Sequence, residues 1–292
     1  MNYTYQGKSF TIERYPTTEN KSLRAWSAAD EHILNYLEEA KISTSNALIY
    51  NDRFAFLSTL LSEENPTAII DFKSQEKAFE INLSTNNCSP EISSNSSIGE
   101  LKDAHDLVLV KIPKSLDLFK LQLSQLHASL SDNGQVVCGF MTKYFSKKYL
   151  AIASEFFEDC TQSKAWKKSR VLVLKGKKQV EKATLINEIS FDGTKVFKQH
   201  YGVFSAKNID YATQFFIENM DIRLDHNKIL DLASGNGILA YAVQQEKPNS
   251  EIHLLDDSLL AVESSKMNLE GENVHFHYND SLANFEDQSF DL

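Results

Sequence analysis

The residues with the most chemical promise lie in one stretch, KILDLASGNGILAYAVQQE, from Lys228 to Glu246. Asp231 closes an apolar run that reads as a buried strand. Ala233-Ser234-Gly235-Asn236-Gly237 reads as a tight loop, and a helical pattern follows. Glycines let a backbone approach a ligand with no Cβ in the way. The helix behind them offers unpaired N–H groups in its first turn. Asp256 stands 25 residues after Asp231, at the end of the next apolar run, EIHLL. A carboxylate there can accept both hydroxyls of a ribose. The acidic residue just before the loop suits a ligand with an ammonium group and no pyrophosphate, which favours S-adenosylmethionine over NAD. Asp280, after HFHY, falls where a contact to an adenine would come; Asn279-Asp280 also has the composition of a turn.

Such a loop works only if alternating strands and helices hold it, and the chain reads that way throughout. Ser9–Pro16 is expected to be a strand, and Ser27, with Asp30 and Glu31, opens a helix through Leu37. Strands are expected at 47–50, 67–71, 106–112 and 134–140, with helices at 54–61, 74–83 and 115–130. Asn86–Gly99, rich in Ser and Asn, reads as a loop. Arg170–Leu174 is a strand in a lysine-rich run, and Ile186–Phe197 a hairpin turning at Asp192-Gly193. A domain boundary is placed near Lys182. Beyond it come a helix at 208–219, the Asp231 strand, and strands at 251–255 and 274–278 with helices between. Phe290-Asp291-Leu292 begins a fourth strand, so a C-terminal truncation is expected. The first half reads as a second copy of the same fold whose Asn51-Asp52-Arg53-Phe54 turn has lost its glycines.

Composition narrows the classes. The 292 residues suggest two domains. No apolar run is long enough to span a membrane. MNYTYQGKSFTIERYP lacks the apolar core of a signal peptide, so a cytoplasmic protein is expected. Cys88, Cys138 and Cys160 are too few and too scattered for a disulfide framework or a zinc site. His275 and His277 alternate in a strand and are read as exposed positions, with no metal expected. Net charge is −10, which argues against nucleic acid when taken globally. Its distribution argues otherwise. Residues 141–182 carry eleven Lys/Arg against four Asp/Glu, whereas residues 208–292 carry four against sixteen. One basic surface on an acidic protein is a nucleic-acid footprint, or else a solvated lysine face.

Four segments carry a resemblance: TIERYP with SLRAWSAADEHIL, DLVLVKIPKS, HYGVFSAKNIDYATQFF, and ILDLASGNG with LLDDS. Together they resemble the bacterial ribosomal RNA guanine-N2 methyltransferases. GVFS is specific to this wider group, and the first segment favours the large-subunit (23S) type over the small-subunit (16S) type. The resemblance implies an α/β protein of two tandem Rossmann-like methyltransferase domains. The first (1–182) is degenerate and RNA-binding; the second (183–292) is the N-terminal part of an S-adenosylmethionine-dependent domain, incomplete at its C-terminus. It implies that Asp231, Ala233, Ser234, Gly235, Asn236 and Gly237 line the cofactor, that Asp256 holds its ribose, and that Asp280 lies near its adenine. Phe204 and Ser205 would sit by cofactor and target base, with Asp210 nearby. Two departures stand out. The family loop reads D-L-G-C-G-N-G, and Ala233-Ser234 depart from it; a methyl at 233 disfavours positive φ. Tyr211 replaces a glycine. The family's catalytic Asn-Pro-Pro-aromatic motif is expected beyond Leu292, so residues 1–292 alone are expected to be inactive. A 16S enzyme, a catalytically inactive RNA-binding module and a small-molecule methyltransferase remain the alternatives.

Overall fold

Strands buried on both faces need near-continuous apolar runs, and the first half of the chain supplies them. The computed structural model describes every residue except 21, 89–92, 182–183, 194, 206–207 and 224. It divides into two compact units, residues 1–70 with 74–183, and residues 71–73 with 184–292. The expected boundary residue, Lys182, lies outside the described residues.

The first unit opens with a hairpin of β1 (Asn2–Tyr5) and β2 (Lys8–Thr11). Gln6 and Gly7 both have positive φ, 48° and 78°, as a two-residue turn of right-twisting strands requires. The single strand expected at Ser9–Pro16 is therefore the second arm of a hairpin. Helix α1 (Ala28–Glu39) starts where expected: the Asp30 carboxylate accepts hydrogen bonds from Ser27 N (2.7 Å) and Ser27 Oγ (2.8 Å).

Seven strands follow: β3 (Leu48–Tyr50), β4 (Thr67–Ile69), β5 (Ser93–Asn95), β6 (His105–Lys111), β7 (Leu130–Met141), β8 (Phe157–Gln162) and β9 (Ser169–Lys177). They form one sheet in the order β5-β4-β3-β6-β7-β9-β8, with β9 antiparallel to both neighbours. Helices α2 (Phe56–Leu60), α3 (Lys73–Thr85), α4 (Leu116–Ser129) and α5 (Lys147–Phe156) connect them. Alternate residues of one strand feed opposite cores. Ile49, Leu107, Leu109 and Val137 pack with Ile33, Leu34 and Leu37 of α1, while Leu48, Val108, Val110 and Val136 pack with Phe119 and Leu123 of α4. Strand β5 lies inside the stretch expected to be a loop; α5 and β8 had no expectation at all.

Strand order reverses between the parallel neighbours β3 and β6, the place where open α/β sheets bind ligands. In this unit side chains fill it. Asn51, at φ 61°, donates from Nδ2 to Lys111 O and to Gln122 Oε1, both at 2.8 Å. Asp52 is buried, and its carboxylate accepts from Ser58 N and Oγ at 2.8 Å. Burial pushes that carboxyl up to about 6, against the pull of the Ser58 hydrogen bonds.

The second unit begins with a hairpin of β10 (Ile186–Phe191) and β11 (Lys195–His200), turning at Asp192 (φ 44°) and Gly193 (φ 77°). After α6 (Tyr211–Asn219) comes a parallel sheet of β12 (Lys228–Leu232), β13 (Glu251–Asp256) and β14 (Val274–Tyr278), in that order. Helices α7 (Ile238–Glu246) and α8 (Leu259–Lys266) link the strands. Ile229, Ile252, Leu254 and Val274 bury one sheet face against Ala240 and Val243 of α7. Residues 290–292 run alongside β12: Asp291 N donates to Lys228 O and Leu230 N to Leu292 O, both at 2.8 Å. No helix among the described residues is long and apolar enough to cross a membrane.

Candidate active site

The glycine loop joins β12 to α7, and its shape follows from three residues in left-handed backbone: Ala233 (φ 61°), Gly235 (56°) and Gly237 (81°). Glycine takes this conformation without strain; alanine does so at a cost of about 1 kcal/mol. The methyl at 233 thus does not keep the loop out of positive φ. Ala233 N and Ser234 N donate to Leu255 O at 2.8 and 3.2 Å, tying the loop to β13.

A cavity of about 450 Å³ opens beside this loop. Of the residues expected around a cofactor, Asp231, Ala233, Ser234, Gly235, Asn236, Asp256, Phe204 and Ser205 line it, as does Asp210. Gly237 and Asp280 do not. Gly237 is the N-cap of α7, where a Cβ would lie 2.4 Å from Leu269 Cδ1; its role is packing. At Gly235 a Cβ would meet nothing within 4 Å, so the cavity side of the loop is open.

The cavity's three carboxylates are all engaged. Asp256 Oδ2 accepts from Gly235 N at 3.0 Å and Oδ1 from Ser258 N at 2.8 Å. Each oxygen keeps lone-pair capacity for another donor. Asp231 is buried, and its Oδ2 accepts from Ala240 N, in the first turn of α7, at 3.1 Å. Burial pushes the Asp231 carboxyl up to about 6; the Ala240 N–H opposes this and the Asp256 charge adds to it. Asp210 caps α6, accepting from Ala212 N and Thr213 N at 3.1 Å and from Thr213 Oγ1 at 2.7 Å. The Thr213 hydroxyl, more than any other group, holds its carboxyl below the ordinary range. Phe204 is 81% exposed and Tyr211 90%.

One positioning residue was not foreseen. Gln199, buried in β11, accepts from Asn236 Nδ2 at 2.7 Å and donates from Nε2 to Val203 O and Phe204 O at 3.2 Å. It ties the glycine loop to the turn that carries Phe204. A polar residue in the alternating run KVFKQH was its only sequence signal.

The residues present fit an adenosyl cofactor. Among the described residues, Ser234 Oγ, buried on the cavity wall, has no hydrogen-bond partner, a donor-acceptor awaiting a ligand. The space left by a missing Cβ at 235 and the free lone pairs of Asp256 match a sugar lying against the loop.

A glycine loop between a parallel strand and a helix, with a carboxylate ending the next strand, is a Rossmann-like nucleotide site, and its family matches make it that of an S-adenosylmethionine-dependent methyltransferase. Residues 194–292 match the methyltransferase small domain family, and residues 1–181 match the RLMG N-terminal domain. The chain belongs to the ribosomal RNA large subunit methyltransferase G family. It is 31% identical to the protein of that name from Pseudoalteromonas translucida (strain TAC 125), over 98% of this chain and 78% of that protein. It is 31% identical to the one from Klebsiella pneumoniae (strain 342), over 97% and 77%. Among solved structures, the T. thermophilus 16S rRNA N2 G1207 methyltransferase (RsmC), in complex with AdoMet and guanosine, shares the fold. Its TM-score is 0.71 at 16% identity, covering 98% of this chain and 76% of that one.

A second region carries charge. Thr142 N and Oγ1 donate to Lys168 O at 2.9 and 3.1 Å, drawing the end of β7 to the β8–β9 turn. Half-exposed Tyr144 lies between Lys143 Nζ and Lys114 Nζ, 4.4 and 5.0 Å from its ring centre. Lys167 Nζ sits 4.2 Å over Trp166 and 3.0 Å from Glu31 Oε2. Lys164 and Lys168 are exposed nearby in sequence.

Proposed function

We propose that the chain holds S-adenosylmethionine in the loop cavity and serves transfer of its methyl group to the exocyclic N2 of a guanine in 23S rRNA. The cavity bounded by Gly235, Asp231 and Asp256 is the observation that carries this reading. In it, Asp256 accepts from the ribose hydroxyls and Asp231 faces the ammonium group. Ser234 Oγ meets a polar cofactor atom, while Ala233, Asn236 and Gly237 set the loop's shape. Asp280, which does not line the cavity, is assigned to the adenine by the family resemblance alone. The cofactor supplies a methyl on a sulfonium; the protein's contribution is position, which governs in-line displacement. Phe204, exposed at the cavity edge, is placed to stack on a base that has left its helix. Ser205 stands beside it.

The first unit, in this reading, holds the RNA. Lys114, Lys143, Lys164, Lys167 and Lys168 meet phosphates, and Tyr144 and Trp166 offer faces to unpaired bases. Orientation of the guanine amine falls to an Asn-Pro-Pro-aromatic segment after the fourth strand.

Two measurements test the reading. Calorimetry of residues 1–292 with S-adenosylmethionine should show one site. Labelled methyl transfer by the full-length protein to protein-free rRNA should favour 23S over 16S. Absence of cofactor binding overturns the proposal; methylation of 16S alone reassigns the substrate.

A further inference from the structure

We propose that Glu251, His253 and His275 form a binding site for a divalent ion of the zinc class, outside the cofactor cavity. The sheet register brings these residues together. His253 of β13 pairs with His275 of β14, so both side chains leave the same face. Glu251, two residues earlier, shares that face because side chains alternate along a strand. His253 Nε2 lies 2.7 Å from Glu251 Oε1, and His275 Nε2 lies 3.8 Å from the same oxygen. The three ligand atoms fall within 4.8 Å of one another. Tetrahedral zinc with bonds of about 2.0–2.1 Å holds neighbouring ligand atoms about 3.3 Å apart. The observed separations bracket that value, so small side-chain rotations suffice. Two imidazoles and a carboxylate, with a fourth position left to water, make a zinc-class donor set.

The surroundings support ligation rather than a row of solvated strand residues. His253 is buried, and its second ring nitrogen, Nδ1, lies 2.8 Å from His277 Nε2. A metal-bound histidine needs such an outer partner to fix its tautomer and ring plane. When Nε2 gives its lone pair to an ion, the proton resides on Nδ1 and is donated to His277. The ring also makes edge contacts with Phe285 and Phe290, which shield one side. The reading of His275 and His277 as merely exposed positions omitted His253, the residue that joins them.

One feature opposes the ion: Lys228 Nζ stands 3.4 Å from Glu251 Oε1. Its side chain is partly exposed and free to swing outward, so the ammonium and the metal compete for one carboxylate. His253 precedes Asp256 by three residues on β13, about 10 Å along the strand, and an odd spacing puts their side chains on opposite faces of the sheet. The ion therefore fastens β13 to β14 and takes no part in methyl transfer.

The test uses residues 1–292, stripped of metal with a chelator and titrated with Co2+. One equivalent should give the intense visible absorption of a four-coordinate site, displaced by Zn2+, and should raise the melting temperature. Cofactor affinity should not change. His275→Ala and Glu251→Gln, both at partly exposed positions, should each weaken cobalt binding at least tenfold. His277→Ala should weaken it about 10–100-fold, and Lys228→Met should strengthen it. No four-coordinate spectrum at equimolar cobalt overturns the inference. So does unchanged affinity in His275→Ala with its melting curve intact.

Discussion

Gly235 and Gly237 sit two residues apart, both at positive φ, and alanine at each is expected to fail differently. At 237 a Cβ would lie 2.4 Å from Leu269 Cδ1, 3.1 Å from Ser265 Cβ and 3.2 Å from Leu254 Cδ2. Leu269 and Leu254 are only 2% and 1% exposed, so neither can turn aside into solvent. Overpacking costs about 1–3 kcal/mol, and left-handed alanine adds about 1–2 kcal/mol. A stiffer unfolded chain returns about 0.4–1 kcal/mol at either glycine, so Gly237→Ala should lose about 1–5 kcal/mol net. In a unit of this size that lowers the melting temperature by about 4 °C or more. At 235 a Cβ meets nothing within 4 Å, so only the backbone term remains. A stiffer unfolded chain returns about 0.4–1 kcal/mol of it, leaving a net loss of about 1 kcal/mol or less. In the proposed reading that Cβ would, however, take space meant for the cofactor's sugar. Gly235→Ala should weaken S-adenosylmethionine by at least about tenfold, or 1.4 kcal/mol. Urea unfolding and calorimetry on the same two proteins separate the effects. Equal stability losses, or full cofactor affinity in Gly235→Ala, would refute the assignment of one glycine to packing and the other to the ligand.

Asp52, at about 6 when folded against an ordinary 3.8, binds its proton more tightly in the native state. Its contribution is therefore full below about pH 4 and lost as pH rises through 6. The difference is worth about 3 kcal/mol, so Asp52→Asn should gain on the wild type by that order between the two limits in urea titrations. Asp231, also near 6, must be ionised to face an ammonium group. Cofactor affinity should be flat above pH 6 and approach a tenfold loss per unit below it, with Asp231→Asn abolishing that dependence. Replacing Lys143, Lys164 and Lys168 with alanine should cut the slope of log affinity for RNA against log salt by about 0.7–0.9 for each phosphate no longer neutralised, without moving cofactor affinity. Phe204→Ala should lower methyl transfer to RNA in the extended enzyme while leaving calorimetric cofactor binding within about twofold, since its exposed ring packs on little of the fold.

Much of the fold was legible because apolar runs and helical periodicity dictate it. The strands at 48–50, 106–112 and 228–232 are rich in Leu, Ile and Val, and Ser27, Ser115 and Asp210 mark helix starts by hydrogen-bonding chemistry that is local in sequence. What was hidden depended on partners distant in sequence. The first hairpin turns at Gln6-Gly7, where only the glycine signals positive φ. Strand β5 is Ser-Ser-Asn, with no apolar content to announce it; its place comes from pairing with β4. Strand β8 is FEDCTQ, an edge strand whose pattern is set by solvent on one side. Within the site, the loop and Asp256 could be read because their spacing is short-range. Gln199 could not, because its role exists only once β11 lies beside the loop. His253 was missed for a related reason: its partners are on its own strand and the next, and only the register reveals them.

The carboxylate of Asp256 has a consequence for anyone who would measure what it does. One of its oxygens braces Gly235 and the other the start of α8, so the group that would greet the sugar is also a strut of the wall around it. Alanine there removes strut and greeting together, and asparagine turns an amide hydrogen toward a backbone hydrogen. Any loss seen in such variants mixes architecture with recognition. The separable experiment leaves the protein alone and alters the visitor: cofactor analogues lacking one ribose hydroxyl, each compared with the parent on unmodified protein.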